Sequence, residues 1–413
     1  MEKSKKGAWY DAVIVGAGAS GLMCAWLLGR KGLRVAVLEK NSVAGKKLMA
    51  TGNGRCNFTN RQMDAACYYG EENFVKAVLR QVNTETVLGL FEELGIWHRE
   101  RDGYCYPYSG QAATVGKLLT KACLEQNVMI FYETRVGKVI HKNGEYTVSG
   151  KNEKDFRCRY LILACGGKAY ESLGGDGSGY KLCRSLSHHI TELYPGLTGL
   201  KAEGKEWRQL AGVRMQGSVT LLVGNEPLRE ERGEIQLVKD GVSGIPVFQL
   251  CRLAAKGLEK GNPVTLVLDF FPDMESGQLE EWLLRHGTGK LEGLINKKWI
   301  PVIQKKTEME IPAVARLLKQ YPIRISTTFG FEKAQVTAGG VRTEEVDAKT
   351  MQSNIHEHLY LLGELLDVDG ICGGYNLHFA WSTAYICARA ISSAGVLNDG
   401  GLVKLRSSDS PVF

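Results

Sequence analysis

The sequence predicts an α/β fold in which a parallel-sheet domain, discontinuous along the chain, carries a second, β-rich domain as an insert. Three observations lead there. Residues 10–15 (YDAVIV) are a β-branched apolar run that passes straight into a glycine turn and an apolar helix. Residues 34–38 (RVAVL) and 160–164 (YLILA) have the continuous apolar character of strands buried on both faces. From residue 197 to 324 the pattern changes to alternating strand-like runs separated by short turns.

Composition sets the bounds. A chain of 413 residues is long enough for roughly two or three domains. With 23% charged and 44% hydrophobic residues it is an ordinary globular sequence. Glycine stands out, at 49 of 413 residues, or about 12% against a usual share near 7%. Such an excess marks close backbone approach, often to a phosphate-bearing cofactor. The net charge of +7 is spread along the chain, and the longest basic block is residues 3–6 (KSKK). That distribution gives nucleic-acid binding no particular support and suits an acidic cofactor or substrate equally well. Eleven cysteines occur with no C-x-x-C or C-x-x-x-x-C spacing. Residues 1–7 are basic, but the apolar run after them has strand character, so no secretory leader is expected. The thiols are expected to be free in a reducing cytoplasm, and no apolar run nears the roughly 18 residues of a membrane span.

The elements follow in order. Strand 10–15 enters Gly16-Ala17-Gly18-Ala19-Ser20-Gly21, a helix continues over 22–28, strand 34–38 follows, and Glu39 closes it. This is a Rossmann-like dinucleotide fingerprint in full context, its acidic residue 18 positions after the last glycine. Gly16 permits the turn, Gly18 admits a pyrophosphate to the backbone, and Gly21 lets helix and strand pack closely. The helix N-terminus adds N–H donors and partial positive charge, and Glu39 would accept from ribose hydroxyls. Residues 40–60 then form a long stretch rich in Gly, Asn, Lys and Thr. A loop of that length is usually functional, and a flavin, which extends beyond the first βαβ unit, needs one; FAD is therefore expected over NAD(P). Lys40, Lys46 and Lys47 are candidates for pyrophosphate or ring carbonyls, and Arg55, within GNGRCNFTN (52–60), for the same nearer the ring.

Residues 128–136 predict a strand whose end brings the Val136 amide toward adenine, and 138–148 a hairpin turning at Asn143-Gly144. Strand 160–164 ends in Ala164-Cys165-Gly166-Gly167. GGDGSG (174–179) then opens a helix over 180–186, but no apolar strand feeds it, so a second nucleotide fold is not expected there. In the insert, residues 219–223, 234–238 and 263–270 predict strands, with turns at 225–227 and 240–241. Residues 279–285 and 311–320 predict helices, the first closed by Gly287 and Gly289. A small antiparallel barrel or sheet with a few helices results. At the carboxyl end, strand 359–362 leads through Gly363-Glu364 and a glycine-rich turn, ending at Gly374, into a helix over 377–391. Its N-terminus, at Gly374, Tyr375, Asn376 and Leu377, would place positive potential at the flavin N1–C2=O edge.

Candidate chemistry is sparse. Cys56 beside Arg55 has the arrangement of an activated thiol, though a small residue in a cofactor loop looks the same. Arg55 is the better contact for flavin or substrate. Tyr104, Tyr106 and Tyr108 flank Pro107 on an expected loop, where Tyr106 would supply a phenol proton or an aromatic wall. His378 adjoins the cofactor turn and would protonate substrate near neutral pH. His356-x-His358 has metal-compatible spacing without companions, so no metal is expected, and His188-His189 is expected at a solvated helix end.

The segments KKLMATGNGRCNFTN (46–60), YPYSGQAATV (106–115), GGDGSGY (174–180), AQVTAGGV (334–341) and LLGELLDVDGICGGYNLHFAWSTAYICA (361–388) carry a resemblance. The sequence resembles two-dinucleotide-domain flavoproteins of the fumarate-reductase and 3-ketosteroid-dehydrogenase branch. It is most similar to the bacterial flavoprotein family that includes bile-acid 3-dehydro-Δ4,6-reductases. The resemblance implies FAD held by residues 16–21, Glu39, Lys47, residues 54–57, Val136, Gly166, Gly363, Glu364 and residues 375–377. It implies an FAD-binding domain of residues 1–196 and 325–413, roofed by a substrate domain of residues 197–324. The implied reaction is reduction of a conjugated C=C in an enone such as a 3-oxo bile acid, with NAD(P)H as transient electron donor and a flat, apolar substrate. An oxygen-using amine or alcohol oxidase, and a flavin-containing RNA- or protein-interaction module, remain as alternatives; the oligomeric state is left open.

Overall fold

A computed structural model describes residues 8–150 and 154–398; the basic segment 1–7 and the chain beyond 398 lie outside them. Strand Ala8–Val15 is the hub. It pairs in parallel with Val35–Leu38 on one side and Asp155–Leu163 on the other. Met129–Phe131 extends the sheet beyond Val35–Leu38, and Leu359–Leu361 joins the far end of Asp155–Leu163, giving five parallel strands. The first half of Asp155–Leu163 pairs instead with Glu145–Gly150, which forms the expected Asn143-Gly144 hairpin with Val136–Lys142. The hub is apolar because both faces are covered. Helix Ala19–Arg30 lies on it, and the 24-residue helix Tyr375–Asn398, starting two residues earlier than expected, packs against that helix.

A six-stranded closed barrel occupies the insert, ordered Leu200–Ala202, Gly241–Ser243, Glu226–Val238, Arg214–Val223, Val264–Asp269, Tyr321–Thr328. It has its own core, including Trp207, Trp299 and Tyr321, and helix Ile245–Glu259 lies against its wall. Its last strand runs to Thr328, past the expected boundary at 324. Between the barrel and the parallel sheet, Tyr194–Gly196 and Val336–Ala338 pair as an antiparallel ribbon.

Several local expectations are corrected. Tyr104–Pro107 is a strand rather than a loop, because its partner His98–Arg101 supplies a ladder that leaves only Pro107 without a donor. The expected turn at 225–227 is tighter, at Gly224-Asn225, with Pro227 already paired to Leu222. His188 is buried rather than solvated: its Nδ1 lies 2.8 Å from Glu345 and its Nε2 2.9 Å from Ser353 Oγ. His356 and His358 lie in a bend and turn, and no group of metal-compatible side chains exists among the described residues.

Candidate cofactor site

The three fingerprint glycines have different reasons to be glycine. At Gly16 (φ +105°) a Cβ would lie 2.4 Å from the Ala164 carbonyl oxygen, so the turn is locked against the neighbouring strand. At Gly21 a Cβ would lie 2.0 Å from the Gly16 carbonyl oxygen, which is the close helix–strand packing the motif requires. Gly18 has an ordinary φ of −83°, and a Cβ there would meet nothing within 4 Å. Neither backbone nor packing calls for glycine at 18, and open space lies before the helix. The helix has no side-chain cap, so its first N–H groups are left for a ligand.

Ala17 and Ser20 lie buried beside that space, and Ala19 begins the helix. Glu39, also buried, accepts from the Ala17 N–H (2.8 Å) and from the backbone and side chain of Asn41 (2.8 and 2.6 Å). It tethers the glycine turn to the loop after the second strand. Lys40 pairs with Asp176 at 2.6 Å, and Arg135, one residue before Val136, pairs with the same carboxylate at 2.7 Å. Burial alone would raise the Asp176 pKa, but hydrogen bonds from Lys40, Ser178 and Arg135 outweigh it and hold the group well below the usual range. The GGDGSG loop is therefore tied through Asp176 to Lys40 and Arg135.

Lys47 reaches across to Glu364 at 2.8 Å, and the Thr337 N–H donates to the same carboxylate. Gly363 (φ +63°) donates its N–H to the Thr383 hydroxyl oxygen (3.0 Å) and faces Ser20. Gly166 (φ +68°) and Gly54 (φ +82°), like Gly18, border open space. Lys46 is exposed.

The GNGRCNFTN loop packs on the start of the long carboxyl-terminal helix. Trp381 donates to the Phe58 carbonyl (3.0 Å), and Asn60 donates to the Gly373 carbonyl (2.9 Å). Gly374 (φ +94°) is held so close that a Cβ would lie 2.7 Å from the Thr59 carbonyl oxygen and 2.8 Å from Asn57 Oδ1. That Asn57 oxygen is buried with no hydrogen-bond partner within the protein, a state that native folds usually relieve with water or a ligand. Tyr375 and Asn376 turn their side chains into the protein, bonding the Gln62 carbonyl and the Gly370 backbone. What they and Leu377 offer a ligand is backbone N–H.

The candidate chemical residues separate. Cys56 is fully buried (φ +59°), and burial pushes its thiol up to about 12, so the thiolate is absent at neutral pH. His378 is fully buried as well. Its Nε2–H donates to the Val82 carbonyl (3.2 Å), so Nδ1 accepts from the Thr59 hydroxyl (2.7 Å). Burial lowers its pKa to about 4. It is a neutral packing imidazole with no path to a substrate, which corrects its expected role as acid. Arg55 is exposed and free of ion pairs among the described residues. Tyr106 is half-buried; burial, then Tyr104, raises its phenol pKa, while the nearby Arg55 and Arg101 pull it down. Arg55 and Tyr106 thus stand together on one side of the helix start.

Sequence reasoning missed the contact of the barrel with residues near the helix start. Arg252 of the barrel helix bonds the buried Asp369 and stacks on the Tyr69 ring (4.9 Å), while Arg229 donates to the Tyr69 hydroxyl at 2.8 Å. Nothing local in the sequence marks these residues. Asp176 and Thr337, by contrast, sit inside segments already quoted for the resemblance.

The chain is similar to known proteins along most of its length. The family model described as HI0933-like protein Rossmann domain matches residues 10–390. A 3-dehydro-bile acid delta(4,6)-reductase of Clostridium scindens is 42% identical, covering 91% of this chain and 98% of its own. A ribosomal RNA dihydrouridine synthase of Escherichia coli is 28% identical over 93% and 98%. In fold, the chain is similar to 3-ketosteroid delta1-dehydrogenase of Sterolibacterium denitrificans (TM-score 0.52, 14% identity, 94% of this chain and 100% of that one). It is likewise similar to 3-ketosteroid-delta4-(5alpha)-dehydrogenase of Rhodococcus jostii (TM-score 0.50, 12% identity, 95% and 98%).

Proposed function

The chain belongs to the HI0933-like Rossmann family, and from that premise we propose that it is an FAD-dependent oxidoreductase that reduces a C=C bond conjugated to a carbonyl, with NAD(P)H as electron donor. The observation that carries the proposal is the pairing of two helix starts. The one at Gly18 opens on unfilled space, and the one at Gly374 adjoins the unpaired Asn57 oxygen. Bound FAD would supply hydride chemistry between its two substrates. The protein's part is to hold and orient. Residues 18–21 would take the pyrophosphate and Glu39 the adenosine ribose. Lys47 and Glu364 would take the ribityl chain, and the backbone N–H groups of 375–377 the pyrimidine edge. Arg55 and Tyr106 face the substrate side, Tyr106 holding a proton at neutral pH as any phenol does, with burial raising its pKa further. The barrel, whose strands span residues 200–328, would be the roof that selects substrate.

A steroid-like enone, such as a 3-oxo bile acid, is the first substrate class, on the strength of the 42% identical relative. Uracil in RNA is the second. Its C5=C6 bond is likewise conjugated to a ring carbonyl, and dihydrouridine is its reduced product, so one site chemistry serves both. Eleven free thiols suit a reducing, cytoplasmic setting, and no helix among the described residues is long and apolar enough to cross a membrane. The test is anaerobic. NADH or NADPH added to the flavin-loaded protein should bleach the flavin absorbance, and an enone should restore it. Absence of bleaching with either nicotinamide overturns the reductase reading, and peroxide release on turnover would favour an oxidase.

A further inference from the structure

The hairpin formed by His98–Arg101 and Tyr104–Pro107 sets its arginines and tyrosines on one face. Arg101 lies opposite Tyr104 and Arg99 opposite Tyr106. The Tyr108 N–H donates to the Trp97 carbonyl at 2.7 Å and sets Trp97 opposite Tyr108. Directly opposed residues share a face, as do residues two apart along a strand. All three pairs therefore stand on one side, while Cys105 and Pro107 on the other are buried.

This side is a track of arginines and aromatic rings. Trp97 and Tyr108 stack at 5.4 Å with an interplanar angle of 15°, yet are 70% and 62% exposed. Arg99 and Arg101 are exposed, and Arg55 adds a third guanidinium near Tyr106. Within the hairpin, Asp102 lies 3.5 Å from Arg101, while Glu100 points to the other face and bonds Arg61. The inner end reaches the cofactor site. Tyr104 packs against Gly373, where a Cβ would lie 2.9 Å from its ring, one residue before the glycine at the helix start.

We propose that this face binds single-stranded RNA, its bases stacking on Tyr104, Tyr106 and the Trp97–Tyr108 pair and its phosphates meeting Arg55, Arg99 and Arg101. Aromatic platforms beside a basic track are the physical basis of single-strand binding, and guanidinium groups suit phosphate. A small dinucleotide fits less well. Such ligands bury about 70–90% of their surface in a concavity, whereas this face runs roughly 14 Å outward from Tyr104 to Tyr108 and ends in its most exposed rings. The inference deepens the uracil reading, but RNA binding can be measured without turnover.

The probe is a fluorescently labelled, uridine-rich oligoribonucleotide of about 12 nucleotides, within the site sizes of such platforms, added to the flavin-loaded protein. Binding should weaken with salt along a log–log slope near about −2, as expected for roughly three phosphates on a single strand. Two double variants, W97A with Y108A and R99A with R101A, should each lose about tenfold or more in affinity. The arginine pair should also flatten the salt slope by about 1.4. Flavin content and NAD(P)H-driven bleaching should be unchanged in both, since none of these side chains holds the cofactor. The proposal is overturned by absence of oligonucleotide binding or by equal binding in both variants. It is overturned as well if NADPH displaces the oligonucleotide while the variants bleach slowly, an outcome that gives the face to the dinucleotide. Enone reduction persisting without RNA binding would refute the surface and leave the reductase reading standing.

Discussion

At the scale of the residue, Gly18 and His378 make opposite points about what a conspicuous side chain means. Gly18→Ala adds a methyl group that touches no protein atom, at a φ that alanine adopts freely. It should leave the melting temperature of the flavin-free protein unchanged and weaken FAD binding by about tenfold or more, equivalent to ~1.4 kcal/mol. Gly21→Ala, which drives a Cβ into the Gly16 carbonyl, should destabilise the fold itself, and calorimetry with and without FAD separates the two. His378 looked catalytic because imidazole near a cofactor turn is suggestive, but burial is a tertiary property that the sequence does not display. Its pKa falls from about 6.5 in the unfolded chain to about 4 in the fold. The unfolded state therefore binds the extra proton between those values, and the stabilisation, complete above pH 6.5, is lost as pH falls toward 4. The difference amounts to about 3 kcal/mol. His188, also lowered chiefly by burial, adds slope in the same direction. In His378→Gln, denaturant midpoints measured from pH 7 to pH 4 should fall less steeply than in the parent.

At the scale of the element, legibility followed locality. The fingerprint was readable because strand, turn, helix and acidic residue are neighbours in sequence and their spacing carries the geometry. The tyrosine hairpin was not, since Gly103 and Pro107 look like loop punctuation until His98–Arg101 is known to pair with it. The buried state of His188 depends likewise on Glu345 and Ser353, some 160 residues away. The carboxyl-terminal helix falls between these cases. Its existence and approximate start were readable from the apolar run, but its contact with residues 57–60 was not. That contact makes Gly374→Ala the sharpest test of the element. The substitution combines a positive φ, costing about 1–2 kcal/mol, with a Cβ 2.7 Å from the Thr59 carbonyl, a strain of about 1–3 kcal/mol. Thermal unfolding should register a loss of several kcal/mol, and flavin should be released more readily because the helix start shifts. A variant as stable as the parent, with flavin retained, would show that the helix start is not held as described.

At the scale of the molecule, two cores are joined by the Tyr194–Gly196 and Val336–Ala338 ribbon and by the contact of Arg252 with Asp369, next to the glycine turn of the cofactor site. The barrel was visible in sequence as a change of pattern, while its docking was invisible, because Arg252 is one of many cationic residues and its partner lies 117 positions away. Arg252 is largely buried and Asp369 almost wholly so. Removing the cation therefore strands a buried carboxylate, which typically costs about 3–5 kcal/mol, whereas removing both charges is close to neutral. Arg252→Met should destabilise the protein by that order, and Arg252→Met with Asp369→Asn should recover most of the loss. If the contact also fixes the roof over the cofactor, the double variant should regain its melting temperature and keep its flavin, yet reduce its enone or uracil substrate more slowly and with a raised KM. Full recovery of turnover in the double variant would instead make the ion pair a matter of stability alone and would place substrate selection elsewhere on the barrel.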